Sequence, residues 1–328
     1  MGDIGLYYGE ELLRYSFPDP HNFNKKRIKS FWEAVQILGL LERREIKVMK
    51  PVLASEELLE LFHTREYIDF VKRMSEIGRG LLDYGDTPAF KGVFEAASYV
   101  VGSVVDAVDK VMGGKVGHCF IPVAGLHHAR RDRAAGFCVF NDIGVAIVYA
   151  KKKYGLDRIL YVDIDAHHGD GVFYEFYDDP TVWIVDIHED GRYLYPGTGY
   201  REEDGSPRAP NTKLNIPLPP GSTDKEFLEA FKEVEDFARK VEPELIFFQC
   251  GADGLEGDPI THLRYTYRAH RHAAEVLHEI AHSFCEGRLV ATGGGGYDEK
   301  NTAAAWSAVL MAFLGPRWEM PTSPGYML

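Results

Sequence analysis

At 328 residues the chain is long for one domain but within the range of a single α/β domain, and its 45% hydrophobic content suffices for a large core. A formal net charge of −13 argues against binding the phosphate backbone of nucleic acids, which requires basic patches. It leaves a basic protein tail or a cationic small molecule open as substrate. Cys119, Cys138, Cys250 and Cys285 lie far apart without a Cys-x-x-Cys pair, so reduced core thiols are expected. With no signal or transit pattern and no apolar run of about 18 residues, a cytoplasmic protein is expected.

In chain order, Asp3–Tyr8 reads as a short strand, followed by a Pro-rich turn and a helix from about Asn24 with Ile28, Phe31, Trp32, Val35 and Leu38 on its apolar face. Arg27, in that helix's first turn, gains nothing from the helix dipole and reads by itself as solvated. Ser55 and Thr64 have the character of N-caps. Residues 78–88 are loop-like, and Asp86 reads as a turn former ahead of Pro88. A valine-rich helix is expected over Val93–Met112, then a strand over Val116–Val123 that delivers Gly125-Leu-His-His-Ala129. Adjacent side chains point in different directions in most backbones, so His127 and His128 are ambiguous alone. Arg130, Arg131 and Arg133 read as a solvated turn. Gly136–Asn141 then leads into a helix ending near Lys153.

Ile159–Val162 has the composition of a strand buried on both faces, and it runs into Asp163-Ile-Asp-Ala-His-His-Gly-Asp170. Thr181–Ile187 is another buried strand, ending in Asp186 and His188. Residues 192–210 form a long loop, a length that in compact domains tends to be functional. Leu214–Leu218 is a short strand, and Thr223 with Glu226 fits a capping box. Glu244–Cys250 is a buried strand closed by Gly251-Ala-Asp-Gly254. A helix over about Tyr265–Cys285 leads to the last strand, Arg288–Thr292, which is followed by Gly293-Gly-Gly-Gly-Tyr297. A final helix starts at Asn301 and stops at Gly315-Pro316. Alternating strands and helices without a linker indicate one α/β domain over 1–328, with a parallel sheet covered on both faces. Ligands bind at the carboxyl ends of such strands. His127, His128, the Asp163–Asp170 cluster, Asp186, Asp253 and Tyr297 all fall there.

Asp163, Asp165 and His167 recur at period two, so an extended chain would throw all three to one side, roughly 6–7 Å apart per pair. Buried carboxylates beside an imidazole call for a cation among them, and Gly169 and Gly171 are expected to let the backbone turn beneath it. Asp165, His167 and Asp253 make a plausible three-ligand set for a divalent ion, leaving room for water and a substrate oxygen. Zinc would lower the pKa of such a water to roughly 7. His127 and His128, each paired with Asp163 or Asp170, would handle the protons, and Tyr297 could donate to an oxyanion. The chemistry is metal-assisted amide hydrolysis.

Gly-Leu-His-His-Ala, Asp-Ile-Asp-Ala-His-His-Gly-Asp-Gly, Pro-Gly-Thr-Gly, Gly-Ala-Asp-x-x-x-Gly-Asp-Pro and Gly-Gly-Gly-Gly-Tyr stand in the order seen in the histone deacetylase superfamily. Across nearly its whole length the chain resembles that superfamily, most of all its prokaryotic branch of AcuC-type and histone deacetylase-like amidohydrolases. The resemblance implies the arginase/deacetylase fold, a three-layer α/β/α arrangement around an eight-stranded parallel sheet. It implies zinc on Asp165, His167 and Asp253, an acid/base pair His127 and His128 backed by Asp163 and Asp170, and Tyr297 on the acyl carbonyl. It further implies a channel walled by Phe137 and Tyr195, the Gly136 carbonyl facing the substrate amide, Asp86 at the rim, and Arg27 in an inner cavity for acetate. A potassium ion is common beneath the zinc in this family, here on Asp163 with the carbonyls of Asp165 and His167. Asp186 stands where a serine is usual there, and Tyr195 where a phenylalanine is usual.

A binuclear manganese ureohydrolase would need carboxylates where this chain has Gly169 and Leu255. An acetylpolyamine enzyme would carry a glutamate near the channel mouth, where this chain has Ile260. A non-catalytic acyl-lysine binder would have lost a ligand, a histidine or the tyrosine. The expected substrate is therefore an acetylated lysine in a protein or peptide, with an acetylated small amine as alternative.

Overall fold

The structure is a computed structural model that describes residues 2–315. Pro316, expected to help stop the last helix, lies outside the described residues. Eight strands form one all-parallel sheet: β1 (Ile4–Tyr7), β2 (Ile46–Met49), β3 (His118–Ile121), β4 (Ile159–Asp163), β5 (Val182–Glu189), β6 (Lys213–Leu218), β7 (Leu245–Gln249) and β8 (Leu289–Thr292). Their spatial order is β2-β1-β3-β8-β7-β4-β5-β6. Among the described residues ten α-helices accompany them: α1 (Glu10–Leu13), α2 (Lys26–Ile37), α3 (Glu56–Leu59), α4 (Arg65–Ile77), α5 (Val93–Met112), α6 (Asp142–Tyr154), α7 (Asp170–Phe173), α8 (Asp224–Val241), α9 (Tyr267–Phe284) and α10 (Glu299–Phe313).

Alternate residues of β3 show why the sheet sits between two helix layers. The Phe120 ring meets Phe31 of α2 and Trp306 of α10 edge-on, whereas Cys119 points its thiol at the Ala107 carbonyl of α5. Every residue of β3, β4, β7 and β8 is buried, as strands covered on both faces must be. All four cysteines are buried and unpaired. No helix of the described residues is long and apolar enough to cross a membrane.

The expected caps at Ser55 and Thr64 and the Thr223–Glu226 capping box are all formed. Several details differ from what the sequence predicts. β2 was not anticipated: four residues at the sheet edge, two of them exposed, carry little apolar signal. β5 continues past Ile187 to Glu189, so Asp186 lies within the strand. The last helix begins at Glu299, because Asp298 rather than Asn301 caps it, accepting from the N–H groups of Lys300 and Asn301.

Candidate active site

A parallel sheet brings every carboxyl strand end to one edge, and the site is assembled there. The loop after β3 is anchored by the start of α6. Asp142 accepts the N–H groups of Gly125 and Leu126 at 2.9 and 2.7 Å, and the Asn141 amide donates to the Ala129 carbonyl. Gly125 takes a left-handed φ of 98°. In this irregular backbone the adjacent histidines do point to one place, against the general expectation: their Nε2 atoms are 3.1 Å apart. Each ring has its own carboxylate, with His127 Nδ1 2.7 Å from Asp163 and His128 Nδ1 2.6 Å from Asp170.

The two carboxylates are not equivalent. Asp163 is fully buried and also receives the Tyr161 hydroxyl and the Asp165 N–H. Asp170 shares its charge with Arg130, whose Nη2 donates to it at 2.7 Å while the guanidinium lies over the Tyr174 ring. The imidazoles diverge accordingly. Burial disfavours the charged form of both. For His127 the attraction of Asp163 and Asp165 wins and raises its pKa to about 10. For His128 burial and the neighbouring His127 charge win, lowering it to about 4. Burial raises the Asp163 carboxyl to about 7 although the His127 imidazolium pulls it down, and above that pH the two stand as an ion pair. His127 thus donates from both nitrogens. His128 keeps its proton on Nδ1 and presents a lone pair at Nε2.

Beyond β4 the chain does not stay extended. Asp163 accepts the N–H of Asp165, and Asp165 that of His167, so the run curls and its members separate by role. Asp163 turns to His127, while Asp165 and His167 meet Asp253 from the end of β7. His167 Nδ1 lies 3.1 Å from Asp165 Oδ1 and 2.9 Å from Asp253 Oδ2, and all three side chains are buried. Gln249 and the Gly295 N–H each donate to Asp165 Oδ2 at 2.8 Å, and the Ala166 N–H donates to Asp253 at 2.8 Å. These contacts fix the carboxylates in orientation. Burial lowers the His167 pKa, but hydrogen bonds to Asp165 and Asp253 outweigh it and raise the pKa to about 10. Among the described residues the imidazole is the cation that lies between these two buried carboxylates. Such a donor set fits a divalent ion.

Glycines around this cradle act by allowing close approach. Gly169 has an ordinary φ of −74°, so a sharp turn does not explain it. A Cβ there would stand 2.5 Å from Asp163 Oδ2, and one at Gly171 would strike the His127 carbonyl. Gly251 faces Asp165 in the same way.

Tyr297 follows β8 at the end of the glycine run, held by its N–H donating to Asp258 at 2.8 Å. Asp258 also accepts the N–H of Ile260, a half-buried residue beside the Tyr297 loop. Arg27 is buried rather than solvated. Phe23, Tyr297 and Trp306 surround its guanidinium with centroids at 4.1, 5.4 and 5.5 Å, and Nη2 donates to the Gly294 carbonyl. Its Nε and Nη1 are buried without partners.

Phe137 holds a left-handed φ of 67°, fixed by Thr87 accepting its N–H and Tyr15 donating to its carbonyl. Its ring lies 5.8 Å from Tyr297, and that of Tyr195 lies 5.1 Å from His128. Gly136 sits between them: a Cβ there would meet His128 at 2.5 Å and Tyr195 at 3.1 Å. The turn before Thr87 is made by Asp83, which accepts the N–H groups of Gly85 and Thr87. The turn-forming role expected of Asp86 therefore belongs to Asp83, and Asp86 is exposed.

Asp186 pairs in register with Asp163 across β4 and β5, and accepts the Gly169 N–H at 2.8 Å. Its second oxygen is 2.6 Å from His188 Nδ1, while His188 Nε2 is 2.9 Å from the Gly199 carbonyl. Two acceptors on one ring require both nitrogens to donate, so His188 is an imidazolium that neutralises Asp186. Arg130, Gln249 and Asp142 escaped the sequence reading because their partners lie far along the chain or in the backbone.

The family profile described as "Histone deacetylase domain" matches residues 21–313. Among curated proteins, the chain is 41% identical over 335 residues to the acetoin utilization protein AcuC of Bacillus subtilis (strain 168), covering 98% of this chain and 85% of that one. It is 34% identical over 320 residues to AcuC of Staphylococcus xylosus, covering 95% and 82%. Among solved structures, the HDA15 HD domain superposes with a TM-score of 0.87 at 25% identity, covering 95% of this chain and 88% of that chain. An HDAC homologue complexed with SAHA gives 0.84 at 32%, covering 97% and 85%.

Proposed function

Because the chain belongs to the histone deacetylase family, a family of deacetylases and related amidohydrolases, we propose that its single catalytic domain removes acetyl groups from lysine side chains of proteins or peptides, as a zinc-dependent cytoplasmic enzyme. One observation carries the reading. Two imidazoles stand with Nε2 atoms 3.1 Å apart, each on its own buried carboxylate, beside the Asp165–His167–Asp253 cradle.

Zinc held by Asp165, His167 and Asp253 would supply Lewis acidity toward a carbonyl and make water acidic enough to attack near neutral pH. The residues of the chain divide the remaining work. His128 accepts a proton from the attacking water at its unprotonated Nε2, with Asp170 and Arg130 holding the ring. As the carbon–nitrogen bond breaks, the amine leaves with the proton that His127 holds at Nε2. Transfer between the two Nε2 atoms restores the pair, and the net reaction is amide plus water to acetate and the protonated amine. The Tyr297 hydroxyl stabilises the negative oxygen, at a position set by Asp258. Phe137 and Tyr195 hold the aliphatic stem of the lysine, the Gly136 carbonyl accepts the substrate amide N–H, and Asp86 reaches the substrate backbone at the rim. The buried, partnerless nitrogens of Arg27 receive the acetate. The four unpaired thiols support the cytoplasmic assignment. A monovalent cation on Asp163 would meet an Asp186 already neutralised by His188, so potassium has less to gain here than beside a serine.

Turnover of a fluorogenic acetyl-lysine peptide by zinc-reconstituted protein, beside acetylpolyamines and longer acyl-lysines, tests the reading. We expect His128→Phe and Tyr297→Phe each to lower kcat by roughly 10²-fold or more while peptide binding persists. Binding without acetate release in the wild type would establish a binder instead, and preference for acetylpolyamines would move the substrate class.

A further inference from the structure

At the edge of the sheet opposite the active site, three imidazoles that the reaction does not use converge. His118 opens β3, whose other end delivers His127 and His128, so it lies at the amino edge. His278 and His282 stand one turn apart near the end of α9 and therefore share a face. One nitrogen from each of the three lies within 4.8 Å of the others. His118 Nε2 is 2.8 Å from His278 Nδ1, and the His282 ring centroid is 5.3 Å from that of His118 and 4.5 Å from that of His278.

His118 is arranged as a ligand would be. It is only 2% exposed, and its Nδ1–H donates to the Gly287 carbonyl at 2.7 Å. That bond fixes the tautomer and aims the Nε2 lone pair at the other two rings, as backbone carbonyls do for metal-bound histidines. Gly287 itself, at a left-handed φ of 84°, lies so close that a Cβ would stand 2.9 Å from the His282 ring. Outward, the group opens to a pocket of about 390 Å³ lined by His278, Glu279, His282 and Ser283. The carboxyl end of α9 adds partial negative charge, which favours a cation.

We propose that His118, His278 and His282 form a second metal site for one divalent ion of the zinc, nickel or copper type, with the remaining coordination position open to solvent. A set of imidazoles alone selects these ions over calcium or magnesium, which require oxygen ligands. Burial and the neighbouring imidazoles lower His118 to about 3 and His278 to about 4, so both are neutral at physiological pH. Without metal, His278 Nδ1–H donates to His118 Nε2. Binding moves that proton to His278 Nε2, so the ring stays neutral. The two nitrogens separate slightly, because a tetrahedral ion about 2.0–2.1 Å from each holds them about 3.3 Å apart. The bound ion ties the end of α9 to β3, far from the chemistry.

Zinc is the probe. Protein stripped with chelator, reloaded with excess Zn²⁺ and dialysed is assayed for metal per chain. His278→Ala/His282→Ala should hold one equivalent fewer than wild type and turn over acetyl-lysine peptide at the same rate. His282→Ala alone, at an exposed position, should weaken the same equivalent and guards against misfolding of the double variant. Asp253→Ala should lose a different equivalent, so that the triple variant retains none. Equal zinc in wild type and the double variant would overturn the proposal. Equal zinc in wild type and Asp253→Ala would instead count against the catalytic assignment.

Discussion

Gly295→Ala tests the cradle by geometry alone. Gly295 donates its N–H to Asp165 Oδ2 at 2.8 Å. A Cβ at this residue would stand 2.8 Å from that same oxygen and closer still to Asp253 Oδ2, where ordinary contact begins at 3.4 Å. Its φ is not left-handed, so the substitution acts through this collision and not through backbone strain. At least one carboxylate must retreat by more than about half an ångström, whereas metal–ligand distances hold to roughly ±0.2 Å. Zinc affinity should therefore fall by at least the ~10–100-fold typical of losing a single orienting contact. The measurement is zinc titration in the His278→Ala/His282→Ala background, where one site remains, with kcat/KM for an acetyl-lysine peptide at limiting zinc. Gly39→Ala is the control: its φ of 66° is left-handed and nothing lies within 4 Å of the added carbon. It should cost about 1 kcal/mol of stability and leave zinc binding unchanged. Wild-type zinc affinity in Gly295→Ala would refute the placement of Asp165 and Asp253 around one ion.

Arg130→Met should raise the acid limb of the kcat/KM profile by about one pH unit, because Asp170 would then offer its whole charge to His128 and a nearby positive charge would be gone. An unmoved limb between pH 4.5 and 7 would show that Arg130 only packs on Tyr174. His63, buried with Nε2 accepting the Asn141 N–H, is lowered by burial from 6.5 to about 3. A depressed histidine contributes stability that is complete above pH 6.5 and is lost as the pH falls toward 3. His63→Asn should thus be less stable than wild type at pH 7, and the gap should narrow by about 2 kcal/mol at pH 5, from about 1.4 kcal/mol per pH unit. Denaturant melts at the two pH values read this directly, and a gap of constant size would mean that His63 does not titrate with unfolding.

What could be read in the sequence was what the chain keeps together. Asp165 and His167 come from one strand end, and Asp253 from another marked by flanking glycines, so period and punctuation located them. The same signals misjudged the local geometry. An extended run would have placed Asp163 beside Asp165, whereas the bonds from each carboxylate to the N–H two residues on curl the chain and free Asp163 for His127. Arg130 read as solvated because the carboxylate that claims it lies 40 residues away, and β2 stayed hidden because an edge strand needs little apolar sequence.

The imidazoles show the limit most clearly. Residue type says that a histidine can be acid, base or ligand, and only its second nitrogen's partner decides among these. Burial and the charge on its neighbour leave His128 neutral, Asp163 and Asp165 hold His127 charged, and two acceptors make His188 a cation. A backbone carbonyl leaves His118 a lone pair facing His278 and His282. Neighbours in sequence thus take opposite charge states, and residues 160 apart meet at 2.8 Å. The assignment of chemistry to each histidine follows from those second partners, which folding supplies and no local motif encodes.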